Sequence, residues 1–154
     1  MQAPALPLSD EAATRALGQR LALAARAGDV MALSGPLGIG KSVLARAFIR
    51  ALTTPEEEVP SPTFTLVQLY DGLAGPLWHF DLYRLAESGE VLELGFEDAV
   101  AGGIVLVEWA ERLGALLPRR RLDLALGEGT AEGARIARVQ AQGGSDWLAR
   151  AGFA

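Results

Sequence analysis

Gly35-Pro36-Leu37-Gly38-Ile39-Gly40-Lys41-Ser42 combines residue types and spacing suited to one task, the cradling of a phosphate chain. The octet is a full G-x-x-x-x-G-K-[ST] P-loop. Its glycines let successive backbone N–H groups turn inward around an anion with no Cβ in the way. Lys41 can reach the β- and γ-phosphates, and the Ser42 hydroxyl can ligate Mg2+. At average residue usage such an octet arises by chance in roughly one of 200 chains this long. Of the 14 lysines and arginines, Lys41 is the only lysine. A compact ammonium in a P-loop is a role that a planar guanidinium fills badly, so its survival in an arginine-rich chain points to function. The expectation is nucleotide binding through Gly35 to Ser42 and Val43.

A P-loop also needs a carboxylate to hold the Mg2+ shell or position water, and acids that end apolar strands are the natural suppliers. Two qualify, Asp81 after Leu77-Trp78-His79-Phe80 and Glu108 after Ile104-Val105-Leu106-Val107. Each is placed where its strand leaves the sheet, which is where ligands sit in open α/β sheets. Lys41, Glu108 and Asp81 are the candidate catalytic residues, and Ser42, Asp81 and Glu108 the candidate metal ligands. Asp81 is assigned to the magnesium shell, and Glu108 to the metal's water or the attacking water. The sequence does not order those two roles.

The neighbours of these acids read less sharply. His79 is the only histidine and has no cysteine or second histidine beside it, so a strand histidine with a local hydrogen bond is expected rather than a zinc ligand. Trp109 either stacks on a base or packs. Arg84 either approaches the phosphates or makes a surface ion pair. Arg119-Arg120-Arg121 reads as a solvated patch or partner contact rather than an arginine finger.

The elements that must position the site follow from periodicity. Val30–Leu33 reads as a buried strand feeding the loop, and Val43–Leu52 as a helix whose N-terminus faces the phosphates. Before them, Ser9 is expected as the N-cap of a helix with Asp10 and Glu11 in its first turn, closed by Gly28. That helix either only packs or brings its first turn to the nucleotide base. Thr63–Tyr70 and Leu77–Leu82 flank turn chemistry at Asp71–Pro76 and predict a β-hairpin. Glu87–Leu94 reads as a short helix stopped by Gly95, and Ile104–Val107 as a central buried strand. Arg121–Leu126 and Arg135–Gln140 alternate across a turn-rich stretch and make a second hairpin. Ser145 can cap a last short helix through Arg150.

Composition sets the frame. The 154 residues suit one domain, residues 1–154, with a sizeable core, and half of them are hydrophobic. The fold class expected is α/β: a P-loop NTPase fold, a three-layer domain around a central mixed sheet containing β-hairpins. The absence of cysteine removes disulfides, thiol catalysis and Cys-ligated metals. No apolar run approaches the roughly 20 residues that cross a bilayer, and Met1–Pro4 lacks the basic start of a signal peptide, so no membrane contact and a cytoplasmic location are expected. A net charge of −5 argues against a broad phosphate-binding surface. If nucleic acid matters, a partner holds it.

Several ordered motifs together resemble one family. They are Gly35 to Ser42, Ser61-Pro62-Thr63-Phe64-Thr65-Leu66-Val67, His79-Phe80-Asp81-Leu82-Tyr83-Arg84-Leu85, Glu93-Leu94-Gly95-Phe96-Glu97-Asp98 and Val107-Glu108-Trp109. Their order and separation closely resemble the TsaE family, small bacterial P-loop ATPases required for threonylcarbamoyladenosine in tRNA. The resemblance implies binding of ATP and Mg2+ and slow ATP hydrolysis. It also implies partnership with TsaB and TsaD, which transfer the threonylcarbamoyl group to the adenosine next to the anticodon, so that tRNA is met only through the complex. By the same matching, Thr63 and Thr65 lie in a switch loop, Asp81 and Glu108 fall on the family's functional acids, and Glu11 lies near the bound nucleotide. Pro36 stands where the family usually has Asp, and Ser42 where it usually has Thr. Gly133-Ala134-Arg135 matches the family's Gly-Arg pair only with a shift.

Other functions fit less well. A P-loop small-molecule kinase, the main alternative, usually carries an arginine-rich lid, and arginines are sparse between Arg50 and Arg119. A nucleotide-gated assembly factor with incidental hydrolysis overlaps the leading reading. A guanine-reading Asn-Lys-x-Asp motif needs a lysine, and the single lysine already sits in the P-loop.

Overall fold

The fold is described from a computed structural model covering residues 5–62 and 64–153. The expectations placed on Met1–Pro4 and on Thr63 lie outside the described residues. Seven strands form one sheet in the order β1-β7-β6-β2-β5-β4-β3. They are β1 (Ala5–Leu8), β2 (Val30–Ser34), β3 (Val67–Gly72), β4 (Gly75–Asp81), β5 (Ile104–Glu108), β6 (Arg121–Glu128) and β7 (Arg135–Gln142). The central strands β4, β5, β2 and β6 run parallel, while β3 and β7 return antiparallel beside β4 and β6. Both expected hairpins are therefore present in one mixed sheet.

Helices cover both faces. On one lie α1 (Glu11–Leu23), α2 (Lys41–Leu52) and α5 (Trp147–Arg150), packed on Met31, Leu33, Leu77, Ile104, Leu106, Leu122 and Leu124. On the other lie α3 (Glu90–Glu93), α4 (Phe96–Gly102) and a 3-10 segment (Ala110–Leu116), packed on Val30, Ala32, Phe80, Val105 and Val107. Alternate residues of one strand thus serve opposite layers, as the two-residue pleat repeat requires. Phe48 of α2 is fully buried against Trp147, with ring centroids 5.8 Å apart; burial of a side chain this size stabilises by roughly 2–3 kcal/mol. Gly18 lets α1 and α2 approach closely, because a Cβ there would stand 2.8 Å from the Leu44 carbonyl oxygen.

Several boundaries differ from expectation for local reasons. Asp10, not Ser9, caps α1: its Oδ1 accepts from the Ala13 N–H at 2.9 Å. The helix ends at Leu23, and Gly28, with φ +96°, sits instead in the turn that enters β2. The Thr63–Tyr70 strand begins only at Val67, because Leu66 adopts φ +68° and closes a turn from its N–H to the Pro62 carbonyl. Within Glu87–Leu94 only Glu90–Glu93 is helical. Gly95 does more than stop it, since at φ +86° it also starts α4, a helix that the sequence reading left out along with β1 and the 3-10 segment. Asp146 occupies the N-cap position of α5, and the Ser145 hydroxyl oxygen accepts from the Trp147 N–H at 3.4 Å. Among the described residues, no helix is long and apolar enough to cross a membrane.

Candidate functional site

The chain leaves β2 at Ser34 and enters α2 at Lys41, so the P-loop lies at the C-terminal edge of the parallel strands. Gly35, at φ +146°, is fixed by space as well as by conformation: a Cβ would meet the Leu126 carbonyl at 2.7 Å and the Ile39 side chain at 2.9 Å. Gly38 and Gly40 also hold positive φ, which bends the loop back on itself before the helix starts. Gly40 is the N-cap of α2 and has no side chain to cap it. The first N–H groups of the helix have no intrahelical acceptor, so they and the helix dipole form an anion-binding end.

Across from the loop stand the two predicted acids. Asp81 and Glu108 are register partners at the ends of the adjacent parallel strands β4 and β5, and paired residues of parallel strands point to the same face. Leu33, the register partner of Glu108 on β2, leads directly into the loop. Asp81 is buried, and its Oδ1 accepts from the Tyr83 N–H at 3.1 Å. Glu108 Oε2 lies 2.9 Å from His79 Nε2, so the single histidine does make the expected local hydrogen bond, and makes it to a candidate catalytic acid. Trp109 then turns the chain at φ +61°, a left-handed conformation uncommon for a bulky residue. Its ring receives the Lys41 ammonium at 5.2 Å from the centroid and the Tyr83 ring at 4.9 Å.

These residues line a single cleft of about 740 Å³, bounded by Gly35–Gly38, Gly40–Val43, Ser61, Asp81, Tyr83, Glu108 and Trp109. Its size suits a small-molecule ligand. A second hollow of about 300 Å³ adjoins it, sharing Gly38, Gly40 and Val43 and adding Asp10, Glu11, Thr14, Ile39, Gly133 and Arg135. The first turn of α1 therefore does come to the P-loop, and Glu11 lies there, paired with Arg15 at 2.9 Å. Arg135 is the residue that sequence reasoning placed least well. The β6–β7 turn brings its Nε to the Ile39 carbonyl at 3.0 Å, where it holds the middle of the loop. Its signal was the Gly133-Ala134-Arg135 triplet, but only the hairpin shows which loop it reaches.

Other candidates stand apart. Arg84 lines neither hollow, and its guanidinium lies 4.6 Å from the centroid of the exposed Phe64 ring. Arg120 and Arg121 pair with Asp146 and Asp123, away from the cleft. Among the described residues no group of three or more His, Cys, Asp or Glu side chains forms a metal cage. Of the oxygen donors that share the cleft, the Ser42 hydroxyl and the Asp81 and Glu108 carboxylates make a set that suits Mg2+, which takes few protein ligands and completes its shell with phosphate and water.

A glycine-rich loop between a parallel strand and a helix, facing strand-end carboxylates in a three-layer α/β domain, defines the P-loop NTPase fold class. The sequence model described as "Threonylcarbamoyl adenosine biosynthesis protein TsaE" matches residues 8–137. The chain belongs to the TsaE family. It is 38% identical over 121 residues to the tRNA threonylcarbamoyladenosine biosynthesis protein TsaE of Rickettsia felis, covering 79% of this chain and 71% of the relative. It is 37% identical over 114 residues to that of Bacillus subtilis, covering 73% and 70%. The crystal structure of Bacillus subtilis YdiB superposes with a TM-score of 0.75 at 29% identity, covering 93% of this chain and 88% of that one.

Proposed function

We propose that this chain binds ATP with Mg2+ in the larger cleft and hydrolyses it within the machinery of tRNA threonylcarbamoyladenosine biosynthesis. The observation that carries this reading is the convergence of Lys41, Ser42, Asp81 and Glu108, from three separate strand ends, on one cleft beside an uncapped helix N-terminus. The phosphates lie over the loop N–H groups, and Lys41 moves from the Trp109 face to the β- and γ-phosphates. Thr63 and Arg84 are the further residues assigned to ATP by the reading of the sequence. The second hollow takes the adenosine end, with Glu11 and Arg135 at its wall.

Ser42 and Asp81 would hold Mg2+, with Glu108 reaching it directly or through its water. The ion, when bound, neutralises charge developing on the phosphoryl oxygens. Glu108 orients the attacking water and takes its proton. The water oxygen bonds to the γ-phosphorus, and the bond to the β–γ bridging oxygen breaks, leaving ADP and phosphate. Turnover drives or resets a cytoplasmic complex with TsaB and TsaD, which holds the tRNA and performs threonylcarbamoyl transfer.

The test is phosphate release from ATP with Mg2+, by the protein alone and then with TsaB, TsaD and tRNA. Slow release alone, raised by the partners and matched by repeated rounds of tRNA modification, is the expected result. If the partners change nothing and a small metabolite becomes phosphorylated, the kinase alternative replaces this reading.

A further inference from the structure

We propose that His79 is a positioning residue, whose Nε2–H holds the Glu108 carboxylate in the orientation it needs over the cleft. This rests on the role given to Glu108 above and adds the group that fixes it. His79 stands on β4 on the same face as Leu77 and Asp81, between Gln68 and Leu106 in register. It is 3% exposed, and Leu77, Ile104 and Leu106 on that face are fully buried apolar neighbours. A polar ring in such a place is costly unless its hydrogen bonds are made. Only one is. Nε2 lies 2.9 Å from Glu108 Oε2, while Nδ1 is buried with no hydrogen-bond partner among the described residues.

The orphaned nitrogen identifies the tautomer. A proton on Nδ1 would bury an unpaired donor and turn the Nε2 lone pair towards carboxylate lone pairs. A proton on Nε2 makes the 2.9 Å contact a donated hydrogen bond and leaves only an acceptor unsatisfied, the lesser cost. A histidine serving packing alone is replaceable here by a leucine without that cost. What the ring supplies instead is a rigid donor aimed at one oxygen of Glu108. With Oε2 tied back to the sheet, Oε1 is the oxygen that can face the cleft, where Glu108 keeps 12% of its side chain exposed. Asp81 stands beside it in register, and repulsion between two neighbouring carboxylates would otherwise turn the flexible Glu108 side chain away.

The discriminating variants are His79→Gln and His79→Asn. A glutamine amide nitrogen falls near the position of Nε2, and an asparagine one near Nδ1, out of reach of Glu108. Both place an amide at the same buried position, so they share the burial cost and differ in the bond to Glu108. Single-turnover hydrolysis and ATP affinity are measured for both, for Glu108→Ala, and for the His79→Asn/Glu108→Ala double variant, with melting curves for each. Expected is a loss of about 10- to 100-fold in rate for His79→Asn at nearly unchanged ATP affinity. Expected too are recovery of most of the rate in His79→Gln, and a double variant no slower than Glu108→Ala, since the two side chains act as one unit.

Equal rates in the Gln and Asn variants, additive losses in the double variant, or unfolding of both single variants assigns His79 to the core and overturns the proposal. A wild-type rate in Glu108→Ala is a different failure, for it removes the catalytic role of Glu108 itself.

Discussion

The two ends of the central parallel strands both bury acidic side chains, and they treat them in opposite ways. At the N-terminal end, Asp29 is 2% exposed and accepts from the Arg26 N–H and from Arg150 Nη2, each at 2.7 Å, with Arg120 at 3.9 Å. Arg150 also bonds Asp146 and the Ala24 carbonyl, tying α5 to the α1–β2 turn. Burial pushes the Arg150 guanidinium down, but the hydrogen bonds and charges of Asp29 and Asp146 outweigh it and hold it above its ordinary value. That end is electrostatically closed.

At the C-terminal end, Glu108 meets a histidine rather than an arginine and has Asp81 as its register neighbour. Two bulky residues there, Leu66 and Trp109, hold left-handed backbone. Such conformations cost about 1–3 kcal/mol each and persist where the surrounding fold enforces them. The comparison separates an acid held by arginines and a backbone N–H from one held by a histidine. Burial alone does not distinguish them; the partners do.

The sharpest way to break the comparison is to exchange stability for function at each end. Asp29→Ala removes the buried carboxylate partner of Arg150, which keeps only the more exposed Asp146, and frees the Arg26 N–H. It is expected to lower unfolding free energy by about 2–3 kcal/mol, while ATP affinity of the folded protein stays unchanged. Urea denaturation and calorimetric titration check the two halves of that statement. Lys41→Ala is expected to do the reverse, weakening ATP binding roughly 100-fold with an unaltered melting temperature, since it removes a charged partner of the phosphates. Near-normal ATP binding in that variant removes the P-loop from the site.

A smaller effect is expected from Arg135→Ala. Losing the 3.0 Å bond to the Ile39 carbonyl loosens the P-loop, and ATP affinity falls by about tenfold with little change in stability. An unchanged affinity would mean the loop keeps its shape without the hairpin.

The smallest effect concerns pH. Partial desolvation nudges Asp146 upward, but the hydrogen bond and charge of Arg150, a backbone N–H and Arg120 hold it below its ordinary 3.8. A carboxyl lowered by folding adds stability above its unfolded value, and that stability is lost as pH falls through the folded value. Asp146→Asn should therefore be slightly less stable than wild type at pH 7. The gap should close as pH drops below 3.8, which denaturation at pH 7 and pH 3 would show. A gap that persists in acid would place the Arg150 contact outside charge pairing.

Much of this was legible in the chain. The P-loop octet, the strand and helix around it, both hairpins and the two strand-end acids are written in local pattern, where glycine spacing and apolar runs suffice. The elements that escaped notice are those without such a pattern. β1 is four residues long and exists by pairing with β7, and α4 depends on Gly95 reversing the chain between two short helices. Leu66 shortened β3 because its backbone is set by the turn from Pro62, which alternation of side chains does not encode.

The sequence by itself determined what chemistry was on offer: one lysine and one hydroxyl in a glycine-rich P-loop octet, and two carboxylates each ending an apolar strand. It did so because spacing along the backbone is enough to specify a nest of N–H groups and a helix start. Only the tertiary structure decided which groups meet. Strand order put Asp81 beside Glu108, the pleat put His79 on their face, and the β6–β7 hairpin carried Arg135 to a loop 96 residues away. Those are contacts across the sheet, set by register between strands distant in sequence, and no local rule fixes that register before the core packs.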